Sequence, residues 1–199
     1  MKVKIKKEGE VKEFKLINSW SDVNLETWLK LIDFETGTKT EEATQTIAEL
    51  SDIPKRLVRE LSLSDVAIIM SKVGELQAKQ DTKLKRIIEI NDVEYGFHPD
   101  LDSISLGEYA DIEQFIKNGI ETNLPELMAV LYSPVKLKKN DIYIIDAYDG
   151  DIRLRAEEMK QMSAEQVQSA LVFFYTFAKV FNEILPLYLM ERLKETKTQ

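Results

Sequence analysis

Apolar and polar positions alternate over residues 2–17: Val3 and Ile5 precede Glu8-Gly9, and Val11, Phe14 and Leu16 follow it. Glycine supplies the positive φ a tight turn needs, so this stretch predicts a β-hairpin. From Asn24 the spacing turns helical. Leu25, Trp28, Leu31 and Ile32 share one face, and Gly37 marks the stop. A second helix is predicted from Thr40-Glu-Glu-Ala through Ile47 to Leu50. A third starts at Pro54, a first-turn proline, and carries Leu57, Val58 and Leu61. The capping pattern Ser62-Leu-Ser-Asp65 opens a fourth, with Val66, Ile69, Met70 and Val73.

Alternation returns at Arg86–Ile90 and Val93–Phe97, on either side of Asn91-Asp92, a pair suited to a two-residue hairpin turn. Ile88, Ile90, Val93, Tyr95 and Phe97 make its apolar face. The capping box Ser105-Leu-Gly-Glu108 starts a helix with Tyr109, Ile112, Phe115 and Ile116, ending near Gly119. Asn123-Leu-Pro-Glu126 starts another, which runs to Leu131 and breaks at Ser133-Pro134. Asp141–Asp146 reads as extended, and Ile152–Met159 as a short helix.

Ser163-Ala-Glu-Gln166 caps a long C-terminal helix that Pro186 kinks or splits. Five aromatics crowd into it: Phe173, Phe174, Tyr175, Phe177 and Phe181. Leu171, Phe174, Phe177, Phe181, Ile184 and Tyr188 form one apolar stripe, and Val172, Phe173, Val180, Leu187 and Met190 a second. A surface helix shows a single stripe. Two stripes require cover on two sides, from the domain itself or from a partner.

The fold class is therefore α+β, predominantly α-helical, with two short β-hairpins or extended segments and a long aromatic C-terminal helix. One domain over residues 1–199 is expected. A seam at Gln80–Lys83 would divide it into 1–80, a hairpin plus helical block, and 81–199, a hairpin plus helices.

The net charge of −8 argues against a nucleic-acid backbone as main partner, since such binding rests on clustered Lys and Arg. Residues 1–15 nevertheless carry six Lys against three Glu, which reads as a solvated edge hairpin. With no cysteine, disulfides and thiolate chemistry are excluded. Met1–Lys7 lacks the apolar stretch of a signal peptide. Ala170–Met190 is long enough to cross a membrane, but Lys179, Asn182, Glu183 and Pro186 interrupt it. A central Lys alone costs about 2.5–3.5 kcal/mol on insertion, so a soluble protein is expected.

Candidate chemistry is sparse. His98, the one histidine, has Asp100 and Asp102 beside it and reads as a turn residue after a strand rather than a base or ligand. The acidic run Asp146-Ala-Tyr-Asp149-Gly-Asp151 departs from calcium-loop spacing and reads as a turn whose acids serve the next helix. Phosphate-loop, dinucleotide and nucleophile-elbow motifs are missing. The expectation is a non-enzymatic protein with no metal and no cofactor. Its partner-binding candidates are Trp20, Trp28, Phe173, Phe174, Phe177 and Phe181.

Several segments, in order over residues 19–185, resemble a family of small proteins encoded among the structural genes of tailed bacteriophages. They are Ser19–Trp28, Val93–Asp100 with Leu106–Glu113, Asn123–Pro134 and Met162–Phe174. The resemblance implies a tail-assembly chaperone acting on the tape-measure protein in the host cytoplasm. A structural virion component, such as a connector, baseplate or packaged internal protein, and a cellular interaction module are the alternatives. The implied partner is a protein, with homo-oligomerisation open and no catalytic residues to carry over.

Overall fold

The computed structural model describes residues 1–7, 10–33, 38–77, 83–140 and 142–175. Strands β1 (Lys2–Lys7) and β2 (Glu10–Lys15) form the expected antiparallel hairpin, with Val3 opposite Phe14 and Ile5 opposite Lys12. Val3 and Ile5 point into the core while Lys2 and Lys4 face solvent, as strict alternation requires. Val11 departs from the expected face and is exposed. The Gly9 turn and the Gly37 stop lie outside the described residues.

Four helices follow: α1 (Leu25–Asp33), α2 (Lys39–Glu49), α3 (Lys55–Val58) and α4 (Leu63–Gln77). Three of them are started by a side chain that accepts an unpaired N–H, and α3 by the Pro54 carbonyl, which accepts the Leu57 and Val58 N–H groups at 2.7 and 3.1 Å. Asn24 Oδ1 accepts the Thr27 N–H at 2.9 Å, and Ser62 Oγ accepts the Asp65 N–H at 3.1 Å. α2 begins earlier than the Thr40 start expected, because Thr38 and Glu41 form a reciprocal capping box. Pro54 stands just before α3 as its N-cap. Val3, Ile5, Trp20, Ile47, Val58 and Ile69 share the apolar cluster these elements enclose.

The second half is built on a four-stranded antiparallel sheet, β3 (Ile87–Ile90), β4 (Val93–Phe97), β5 (Tyr132–Lys139) and β6 (Ile142–Ile145), in that order. The β3–β4 turn is as predicted, with Asn91 and Asp92 at φ 52° and 62°. Helices α5 (Leu106–Lys117), α6 (Leu124–Leu131), α7 (Arg153–Met159) and α8 (164–175) complete it. Every residue of α6 except Glu126 is buried, so this helix is the centre of the second cluster.

Helix α6 ends at Leu131 as expected, but the break at Ser133-Pro134 is a strand and not a loop: both residues lie inside β5, opposite Gly96 and Tyr95 of β4. Proline is tolerated here because its missing N–H falls at the end of a ladder. The Pro134 carbonyl accepts the Asp146 N–H at 2.9 Å, one residue beyond β6, and no return bond is needed there. Through β5 the two hairpins of this half become one sheet.

The halves are joined where residues 23–26 meet residues 160–164. Leu25 N–H donates to the Met162 carbonyl at 2.8 Å, Glu26 N–H to Lys160 at 3.0 Å, and Ala164 N–H to Val23 at 2.7 Å. Leu25 belongs to the second cluster and Ala164 to the first, and Trp28 packs against both. Among the described residues no helix is long and apolar enough to cross a membrane; the window 170–190 extends beyond them.

Candidate functional site

The site is built on α8. Its start is fixed by Ser163 and Gln166: the Gln166 N–H donates to Ser163 Oγ at 3.2 Å, and the Ser163 N–H donates to Gln166 Oε1 at 3.0 Å. From there Val167, Ala170 and Phe174 turn into the second cluster, with Leu171 packed against it. Of the first apolar stripe, Phe174 is buried at 5% exposure and Leu171 is half-buried, so within the described residues this stripe faces the core. Val172, Phe173 and Tyr175 form the outer side, at 52%, 38% and 51% exposure. Phe177, Phe181 and the kink at Pro186 lie outside the described residues.

Phe173 is anchored at one edge. Its ring stands nearly perpendicular to Phe97, with centroids 5.4 Å apart, and Phe97 in turn meets Tyr132 at 5.2 Å. Tyr132 is held from beneath by its hydroxyl, which donates to the Lys85 carbonyl at 2.8 Å. Phe173 forms a wall of a hollow of about 200 Å³, which Arg86, Phe97, His98, Pro99, Asp100 and Leu101 complete. One side of this hollow is aromatic and the other polar.

His98 sits at its floor. Its backbone N–H donates to the Leu131 carbonyl at 2.7 Å. The carboxylate against its ring belongs to Glu108, on the next helix: Nε2 lies 3.7 Å from Oε1, with both side chains nearly buried. Glu108 is already engaged as the α5 capping carboxylate, accepting from the Ser105 N–H at 2.8 Å and the Ser105 hydroxyl at 2.5 Å. The other ring nitrogen, Nδ1, is buried and has no hydrogen-bond partner among the described residues. This pairing escapes a sequence reading, because the spacing of a capping box announces an exposed acid and not one packed against a histidine.

Arg86 forms the cationic side. Its charge acts on Tyr143, whose hydroxyl donates to the Phe97 carbonyl at 2.6 Å. Burial pushes the Tyr143 phenol above its ordinary value, and the Arg86 charge opposes part of that rise.

The remaining candidates fall elsewhere. Trp20 is buried in the first cluster, with its indole N–H unpartnered among the described residues. Trp28 lies half-buried between the clusters, so neither tryptophan stands beside Phe173 in the hollow. The acidic turn is organised locally: Asp149 Oδ1 accepts the Asp151 N–H at 3.0 Å, and Asp151 pairs twice with Arg153 at 3.0 Å. No group of three or more His, Asp or Glu side chains suited to a metal ion occurs among the described residues. A second concavity, a groove of about 830 Å³ between α2 and the α3–α4 corner, is floored by Ile47 and Val58 and rimmed by Lys39, Lys55 and Arg59.

No family model, curated protein or solved structure matches the chain.

Proposed function

We propose that this chain is a non-enzymatic assembly protein of a tailed bacteriophage, a tail-assembly chaperone that covers apolar helical segments of the tape-measure protein. The observation that carries the reading is the division of α8: Phe174 is buried in the core while Val172, Phe173 and Tyr175 stand outward on the same helix. A helix that offers aromatic side chains after its core stripe is satisfied has the chemistry of helix-in-groove recognition. The hollow beside Phe173 adds a cation, Arg86, at the edge of an aromatic wall, which can fix the polar flank of an amphipathic client. The net charge of −8 would keep such a complex dispersed.

The test is co-expression with a tape-measure polypeptide of a tailed phage, scored by the soluble fraction of that polypeptide. The wild-type chain keeps it soluble, and Phe173→Asp does not, although that variant still folds by circular dichroism. Equal protection by wild type and Phe173→Asp overturns the assignment to this surface. Recovery of the chain as a stoichiometric part of purified particles would instead favour a structural virion component.

A further inference from the structure

We infer that β6 is the contact through which two copies of this chain pair, edge to edge and antiparallel, with Tyr143 at the two-fold axis. The inference goes beyond the chaperone reading and does not depend on it. It starts from the sheet edges. An exposed strand edge invites pairing, and proteins blunt such edges with charged side chains. The first hairpin is blunted by Lys2, Lys4 and Lys12, and the outer strand β3 by Glu89, all exposed. β6 is the other outer strand, and Ile-Tyr-Ile-Ile carries no charge. Its solvent face instead shows Ile142 and Ile144, 77% and 56% exposed, with Leu137 of β5 directly opposite Ile144 and 63% exposed.

Backbone alternation sets the register. The Asp146 N–H donates to Pro134, so residues 142, 144 and 146 point their polar groups towards β5, and 143 and 145 point theirs away from it. Among the described residues this edge is unpaired, and it therefore offers the N–H and C=O of Tyr143 and Ile145. Two copies centred on Tyr143 exchange both Tyr143 bonds. They also set Ile142 against Ile144 of the second copy, twice, in the closer, non-hydrogen-bonded positions. The two Leu137 side chains extend this apolar strip on either side. Each Asp146 comes to the turn end of the other hairpin, on the face that carries Lys139, so the charges match. Centring on Ile144 instead would place Asp146 against Ile142, an acid on an aliphatic side chain. The opposite face of the hairpin is already occupied, since Tyr143 lies over Gly96. A second copy is the occupant that satisfies edge, strip and charge together.

Sedimentation equilibrium of the full chain over a wide concentration range tests this. The expected result is a monomer–dimer equilibrium that Ile144→Lys weakens at least about tenfold. Leu154→Lys, on the exposed side of α7, leaves it unchanged. The register is read by cross-linking, against a background free of native cysteine. Mixing Ile142→Cys with Ile144→Cys chains gives a disulfide-linked dimer under mild oxidation, whereas either variant alone does not, because like positions are diagonal and about 7–8 Å apart. A chain that stays monomeric at millimolar concentration overturns the proposal. So does a dimer indifferent to both Ile142→Lys and Ile144→Lys, or equal cross-linking by each single variant. If the lysine variants fail to fold, the mixed-cysteine experiment decides alone.

Discussion

Gly96 lies under the ring of Tyr143: a Cβ at position 96 would stand 2.5 Å from Tyr143 Cε2 and 2.9 Å from Ile145 Cγ2. This contact lets the β5–β6 hairpin fold back over β4, and it brings the Tyr143 hydroxyl to the Phe97 carbonyl. Both clashing neighbours are held in β6, so neither swings away freely. Gly96→Ala should therefore destabilise the fold by about 1–3 kcal/mol, as overpacking does. Urea denaturation measures it, and a stability equal to wild type would show that the hairpin is not seated as described.

The two adjacent phenylalanines of α8 should separate fold from function. Phe174→Asp places a carboxylate in the second cluster, and a loss of about 3 kcal/mol or more is expected, enough to unfold a marginal domain. Phe173→Asp loses one edge-on ring contact and part of a hydrophobic wall, costing about 1 kcal/mol. Thermal melts of the two variants side by side decide this. Equal losses would refute the assignment of inner and outer stripes.

Ser105 and Glu108 do more than start α5, since the same carboxylate faces His98. Ser105→Ala should cost about 1 kcal/mol, the ordinary value of a lost cap. Glu108→Ala should cost more, because it removes the cap and leaves His98 Nε2 without the group 3.7 Å away. The order of the two denaturation midpoints is the readout, and the reverse order would sink the idea.

Alkaline pH should loosen the protein through its tyrosines. Burial is the largest cause raising the phenols of Tyr132, Tyr143 and Tyr148, and the Asp111 carboxylate hydrogen-bonded to Tyr148 adds to its rise. An unfolded phenol ionises near pH 10. Below that value both states hold the proton and this contribution to stability is fully present. Above it the unfolded chain loses protons first, so stability falls as pH rises towards the folded values. Urea midpoints at pH 9 and pH 11 should differ, and Tyr132→Phe should narrow the gap. No difference between the two pH values would contradict the burial of these phenols.

Local signals in the chain were sufficient for much of the architecture. Val3 and Ile5 alternating with lysines, Asn91-Asp92 between two apolar runs, and serine–acid or serine–glutamine pairs three residues apart each act within a few residues. Hairpin, turn and helix starts were legible for that reason. The Ser133-Pro134 strand was not, because proline discourages both helix and central strand, and only the ladder position of its missing N–H settles which one occurs. Nor did the helical period of α8 say which stripe faces inward. That depends on α6 and the β3–β6 sheet, distant in sequence, arriving on one side of Phe174. His98 meeting Glu108 and Tyr143 covering Gly96 likewise join residues that no spacing relates. The sequence by itself determined the elements, whose energies are local. The tertiary structure decided which faces are buried, because burial is set by what packs opposite.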